Sequence, residues 1–258
     1  MTDITRLVDG WRAHFWAADH EIEWLRAEWE GQCWLDSRTL LLGRVDSIGR
    51  AVAGQFFGEW KTSNGRDRNT WKATWRMNPQ SLTYGVLVQS QFPECRRFCV
   101  RKAFKTEPPS YDYAWFEYSE AELLQWRDEL RDIAEDVRRY KRRAIIPWQP
   151  NWDSCFKYGP KYPCEFFERG CSRLDFQALP PHAEPRISHL DTERALDKSD
   201  PELVVLDATR VRAWFECREA FRRTYVENVA VPPGEALRDG IQFHDLVGKY
   251  YQSLIKEQ

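Results

Sequence analysis

A chain of 258 residues with 42% hydrophobic content suits one domain of ordinary size, or one domain with a small lobe, and leaves too little for two full domains. The formal net charge of -2 excludes a globally cationic nucleic-acid binder, so such binding would have to come from local basic patches. No stretch approaches the roughly 20 apolar residues of a membrane helix, and the opening MTDITRLVDG lacks the apolar core of a signal peptide; both predict a cytoplasmic protein without membrane contact, whose seven cysteines are thiols or metal ligands rather than disulfides.

Ile4, Leu7, Val8, Trp11 and Phe15 recur at helical spacing and predict an amphipathic opening helix. Residues 20–35, 39–48 and 55–62 are rich in β-formers with partial alternation, and the stretch Gly49 to Gly54 supplies a turn, so an antiparallel meander follows. Pro79 in first position and the apolar face from Leu82 favour a helix over 79–92. Residues 95–104 and 111–118 predict two more strands. Ser119 and Glu122 then form a capping box for a long helix whose inward stripe is Leu123, Trp126, Leu130, Ile133, Val137 and Tyr140. From 147 the chain turns Pro-rich and charged, and 172–203, which has little periodicity, is predicted to be a linker. Two helices close the chain, about 208–228 and 235–256, separated by the loop NVAVPPGE.

Asp46 falls near the end of one predicted strand, with Glu59 and Lys61 two apart on the next. Residues two apart on a strand share a face, which Asp46 can join across the hairpin, while Trp60 points the opposite way. Two carboxylates held close repel unless a cation lies between them, and hard oxygen ligands suit Mg²⁺ or Mn²⁺. Such an ion acidifies a bound water and offsets charge on a phosphate, and a lysine beside it can orient that water or neutralise developing charge. Alone, acids and a base alternating along a strand are a common surface pattern.

Three stretches add to the pattern. GRVDSIGR, GQFFGEWKTS and PQSLTYG resemble, in order and at plausible distances, the G-x-x-D, (D/E)-x-K and Q-x-x-x-Y blocks of RecB-like nucleases of the PD-(D/E)xK superfamily. Gln80 and Tyr84, four apart on a helix, make the last block. Cys155, Cys164 and Cys171 in CFKYGPKYPCEFFERGC are one thiol short of a four-cysteine site. In several members of the family, three cysteines after the core join a lone upstream cysteine around a [4Fe-4S] cluster. Here the lone cysteine has its counterpart near the other end: LDATRVRAWFECREAFRRTYVENV resembles the family's opening helix, with Cys217 in that place, three after Trp214 and four before Phe221 and hence on the inward face. GIQFHDLVGKYY resembles the block that precedes the acidic hairpin, with His244 as the metal-site histidine, inward by its spacing from Ile241 and Tyr251.

The resemblance covers about 1–171 and 204–256, with the second half placed first. It implies an α/β fold: a restriction-endonuclease-like core with a mixed central sheet flanked by helices, a small helical cysteine-ligated lobe, and circularly permuted order. Residues 1–171 would carry the catalytic core, 172–203 the linker, and 204–258 the displaced first half completing the same domain. A tandem array, or half-domain exchange between chains, would give the same order of blocks; the oligomeric state stays open. The implied activity is hydrolysis of DNA phosphodiesters, by an exonuclease acting preferentially on single strands, in repair, recombination or phage DNA processing. Asp46, Glu59, His244 and the Trp60 carbonyl would hold Mg²⁺ or Mn²⁺, with Lys61, Gln80 and Tyr84 completing the site. Cys155, Cys164, Cys171 and Cys217 would hold a [4Fe-4S] cluster, with Zn²⁺ as the alternative because their spacing is wider than the family's tight run. Arg96, Arg97, Arg101, Lys102 and Lys105 are candidates for DNA contact, with the run Arg138, Arg139, Lys141, Arg142 and Arg143 as a second set. Cys33, Cys95 and Cys99 are read as apolar residues on strands. The competing classes are a nucleic-acid-binding or scaffold module that cuts nothing and a cysteine-ligated redox protein.

Overall fold

A computed structural model describes residues 4–64, 70–143, 148–157, 163–167, 170–180, 182–196, 199–230 and 235–258, the last without the side chains of 235–237. The chain divides into two units, Met1–Cys33, Leu42–Arg127 and Gly234–Gln258 in one, Trp34–Leu41 and Asp128–Pro233 in the other. This division differs from the sequence expectation, because 208–233 and 234–258 go to different units.

Helix α1 (Ile4–His20) precedes strands β1 (Glu23–Asp36), β2 (Thr39–Ala51) and β3 (Gly54–Ser63), all in the first unit except residues 34–36 of β1 and 39–41 of β2. The β2–β3 turn ends on Gly54, whose φ of +110° suits glycine. Short helix α2 (Trp71–Trp75) and helix α3 (Pro79–Gln89) lead to β4 (Arg97–Phe104) and β5 (Ser110–Glu117). The sheet order is β1-β2-β3-β4-β5, with β2–β3 and β4–β5 antiparallel and β3–β4 parallel, so the protein is α/β with a mixed central sheet flanked by helices. A parallel pair needs a long crossover, and α2 and α3 supply it. Pro79 takes the first position of α3, and Asn78 caps it by accepting the Gln80 N–H at 2.9 Å.

Helix α8 (Glu235–Glu257) packs with α1, and together they cover one face of the sheet. Their stripes, Leu7, Val8, Trp11 and Phe15 from α1 and Phe243, Val247, Tyr251 and Leu254 from α8, meet Trp24, Phe56 and Trp60. Full burial of such side chains stabilises by about 1.5–3 kcal/mol each. The Gln258 side chain closes this layer, accepting the Trp24 N–H at 2.9 Å and donating to the Ile22 carbonyl at 2.7 Å.

Helix α4 (Glu120–Arg142) opens on the expected capping box: the Glu122 N–H reaches Ser119 Oγ at 3.2 Å, and Glu122 Oε2 takes the Ser119 N–H at 2.7 Å. In the second unit, its residues Leu130, Ile133, Val137 and Tyr140 are buried. There β7 (Val204–Leu206) runs parallel to residues 39–41 of β2. Residues 172–203 are not a free linker. They contribute β6 (Glu184–Pro185), paired with β8 (Val229–Ala230), and α5 (Asp191–Arg194). Glu193, 1% exposed, accepts from Ser188 Oγ at 2.7 Å and from Arg210 at 2.5 Å. The predicted helix 208–228 is three pieces, α6 (Ala208–Glu216), α7 (Arg218–Phe221) and a π-helical turn over 222–226. Residues 231–234 of the following loop lie outside the described residues. No helix among the described residues is long and apolar enough to cross a membrane.

Candidate active site and cysteine lobe

The hairpin register Ser47↔Gly58 sets Asp46 opposite Glu59 at the next position, inside a sheet. Asp46 is 7% exposed and Glu59 2%. Asp46 Oδ2 accepts the Trp60 N–H at 2.6 Å. Glu59 Oε1 accepts from the Lys61 ammonium and, at 2.8 Å, from Gln80 Nε2, whereas Glu59 Oε2 is buried with no hydrogen-bond partner. Burial pushes the Asp46 carboxyl up to about 6, with Lys61 opposing. Burial, then the Asp46 charge, pushes Glu59 up to about 7.

From α8, His244 Nδ1 lies 3.7 Å from Asp46 Oδ2, and its ring hydrogen-bonds the Trp60 backbone. Burial, then the Lys61 charge, pushes His244 down to about 4, so the contact is made by a neutral imidazole at neutral pH, the form that binds metals. Its placement differs in detail from the sequence reading. Ile241 is exposed, the apolar stripe runs through Phe243, Val247 and Tyr251, and His244 sits on its flank, 30% exposed. Trp60 is buried on the opposite side of its strand and stacks on Tyr251 at 4.6 Å.

Tyr84 follows Gln80 by one helical turn and lies over Gly43. A Cβ at Gly43 would stand 2.8 Å from Leu87 Cδ2 and 3.2 Å from Tyr84 Cε1. The glycine of the G-x-x-D block thus lets α3 approach β2 closely. Asp46, Glu59, Lys61, Gln80, Tyr84 and His244 all belong to the first unit.

One acid at this place carries no motif. Glu28 on β1 has φ +52° and a buried Oε1 without a hydrogen-bond partner. Burial, then the Asp46 charge, pushes it up to about 8, with Arg44 opposing and Glu59 and Asp245 adding to the rise. Its only sequence cue is its spacing: Glu28 and Glu30 are two apart on the strand beside the Asp46 strand.

The proposed DNA-contact strand is largely internal. Arg101 and Lys102 are 5% and 6% exposed. Arg101 pairs with Asp19 at 2.5 Å and lies over the rings of Phe15, Trp24 and Tyr251; Lys102 lies 5.4 Å from the ring centres of Trp71 and Phe104. The physical reason is that β4 runs between β3 and β5 with both faces covered, so neither side chain is available to a phosphate backbone. Lys105 pairs with Asp239 at 3.1 Å, Arg97 is half-buried over Trp115 at 4.9 Å, and Arg96 is exposed. In the second basic run, Arg138 is buried against Thr39 and the Glu202 carbonyl, Arg139 pairs with Asp136, Arg142 pairs with Glu135, Lys141 donates to the Pro201 carbonyl, and Arg143 is exposed.

Cys155, Cys164, Cys171 and Cys217 all lie in the second unit. The Cys217 placement corrects the helical reading: its φ of -161° and ψ of 112° are extended, so it interrupts the helix between α6 and α7. That break turns its Sγ toward the Asn151 N–H, at 3.5 Å. Cys155 Sγ donates to the Asn151 carbonyl at 3.8 Å, and the Cys164 N–H donates to the Cys155 carbonyl at 2.7 Å. Cys155 and Cys217 lie within electrostatic reach of each other and of Cys164 and Cys171. Burial pushes Cys164 up to about 12 and Cys171 up to about 11, and Cys155 and Cys217 add to both. A cavity of about 290 Å³ opens onto Cys164 and Cys217 beside Pro163, Phe166 and Ala213. Among the described residues, no three or more His, Cys, Asp or Glu side chains stand at metal-ligand spacing. Cys33 and Cys99 lie on β1 and β4, Cys95 in the loop before β4, and burial raises all three thiols.

No known family model matches this chain. A search of curated proteins likewise finds no match.

Proposed function

We propose that this chain is a metal-dependent DNA nuclease of the RecB-like PD-(D/E)xK type, built in circularly permuted order. The observation that carries the reading is the meeting of Asp46, Glu59, Lys61 and Gln80 with His244, which comes from the far end of the sequence. A permuted order of blocks requires residues from both ends of the chain to meet at the hairpin, and the 3.7 Å contact of His244 with Asp46 supports that reading.

By the chemistry of its atoms the donor set suits a hard divalent cation, while among the described residues no three of these side chains stand at metal-ligand spacing. Two carboxylates, a neutral imidazole and the Trp60 carbonyl suit Mg²⁺ or Mn²⁺, and the orphaned Glu59 Oε2 is a buried acceptor that a cation would satisfy. Such an ion would acidify a bound water and offset charge on the scissile phosphate. Gln80 fixes the orientation of the Glu59 carboxylate through Oε1. The Trp60 N–H does the same for Asp46. Lys61, which pairs with Glu59, would place a positive charge beside the reacting phosphate. In the second unit the four cysteines would hold a [4Fe-4S] cluster, or Zn²⁺, as thiolates. A metal charge is what would offset the burial that raises the Cys155, Cys164 and Cys171 thiols.

Single- and double-stranded DNA, linear and circular, incubated with Mn²⁺ tests the activity. Cleavage of linear single strands that Glu59→Ala abolishes supports a single-strand exonuclease of the kind used in DNA repair, recombination or phage DNA processing. Failure to cut any of the four substrates overturns the reading in favour of a nucleic-acid-binding or scaffold module.

A further inference from the structure

Glu28 stands on β1, next to the strand that carries Asp46. Its Oε1 is buried and no described residue donates to it. The charges of Asp46, Glu59 and Asp245 act on it, and Arg44, whose charge opposes them, pairs with Glu30 at 2.5 Å. A buried acceptor without a donor destabilises the metal-free chain, and like charges add to the cost.

The helix on the far side is shaped for this carboxylate. Gly248 follows His244 by one turn of α8, on the same face. A Cβ at 248 would stand 3.1 Å from Glu28 Oε1 and 3.2 Å from its Cγ, so α8 withholds a side chain where Glu28 enters. Independently, Glu59 on β3 is 2% exposed, and its Oε2 also lacks a donor. Two strands, β1 and β3 on either side of β2, therefore present buried carboxylate oxygens that no described residue satisfies.

We propose that Glu28 is a further cation-holding carboxylate of this centre, sharing a divalent ion with Asp46. The proposal rests on the reading of Asp46 and Glu59 as metal ligands. Glu28 approaches from β1 and the hairpin pair from β2 and β3, so the cation would be gripped from three strands, with His244 on α8 closing the fourth side.

The test is Mn²⁺ binding to the full chain, followed by electron paramagnetic resonance and calorimetry, for the wild type, Glu28→Gln, Gly248→Ala, Glu59→Gln and Glu23→Gln. Glu28→Gln keeps the side-chain shape and should weaken Mn²⁺ binding at least tenfold or remove one equivalent. Its melting temperature in chelator should stay the same or rise, because a buried charge is gone. Gly248→Ala, which sets a methyl group against Glu28, should weaken Mn²⁺ in the same direction and serves as the test if Glu28→Gln does not fold. Exposed Glu23→Gln should change nothing. Wild-type Mn²⁺ binding in Glu28→Gln or in its Gly248→Ala substitute, alongside its loss in Glu59→Gln, overturns the role of Glu28 and leaves the metal site standing. Absence of Mn²⁺ binding and of DNA cleavage in the wild type overturns both.

Discussion

Replacing Glu59 by Gln removes a buried charge while keeping the side chain's shape and its ability to accept from Gln80. Burial and the Asp46 charge hold the Glu59 carboxyl at about 7, against an ordinary value of 4.5. Over that interval the folded chain keeps a proton that the unfolded chain has released. Metal-free stability is therefore fully present below pH 4.5 and falls as pH rises through about 7. The displacement from 4.5 to about 7 is worth at most about 3 kcal/mol at pH 8. Glu59→Gln has no such proton. In chelator it should match the wild type at pH 4.5 and exceed it by about 2–3 kcal/mol at pH 8, measured by urea unfolding at both pH values. Saturating Mn²⁺ should reverse the order at pH 8, since only the wild type gains a ligated cation. An equal loss of stability at both pH values would refute the reasoning, because Glu59 would then act as a hydrogen-bond partner of Lys61 and not as a strained acid.

Arg101→Met should cost about 3–5 kcal/mol by leaving Asp19 buried without its partner, and DNA affinity compared at equal folded fraction should not change. Lys61→Met should slow cleavage at least about 100-fold while Mn²⁺ binding persists in calorimetry. Gly43→Ala should lose about 1–3 kcal/mol in urea unfolding, because its methyl group would meet Leu87 and Tyr84. The wild type should purify with iron or zinc and Cys217→Ser with less of either, read by elemental analysis per chain, with DNA cleavage assayed separately.

Wherever local chemistry decides the element, the chain was readable from its residues alone. The Ser119–Glu122 box, Pro79 after Asn78, and the apolar stripes of α1 and α4 lie where their spacing puts them. The hairpin acids were legible for the same reason, since residues two apart on a strand share a face whatever the fold. Arg101 was not legible. Its partner Asp19 is 82 positions away, and no periodicity shows that β4 is covered on both sides. Cys217 misled because Trp214 and Phe221 are both buried at a seven-residue spacing that continues across the break. Residues 172–203 lack apolar periodicity because polar atoms tie them in, chiefly Glu193 through Ser188 and Arg210. Glu28 belongs to no block, and its place at the centre depends on a missing side chain at Gly248 on another element.

The contact between Asp46 and His244 has a consequence in time. About 200 residues separate the two, so at roughly 5–20 residues per second the ribosome needs about 10–40 s after finishing the hairpin to make the helix that completes the site. Throughout that interval the nascent chain carries its acids without their histidine and with one face of its sheet uncovered by α8. Chaperones would meet the chain in this state, and a chain truncated before residue 244 would retain Asp46 and Glu59 and lack His244.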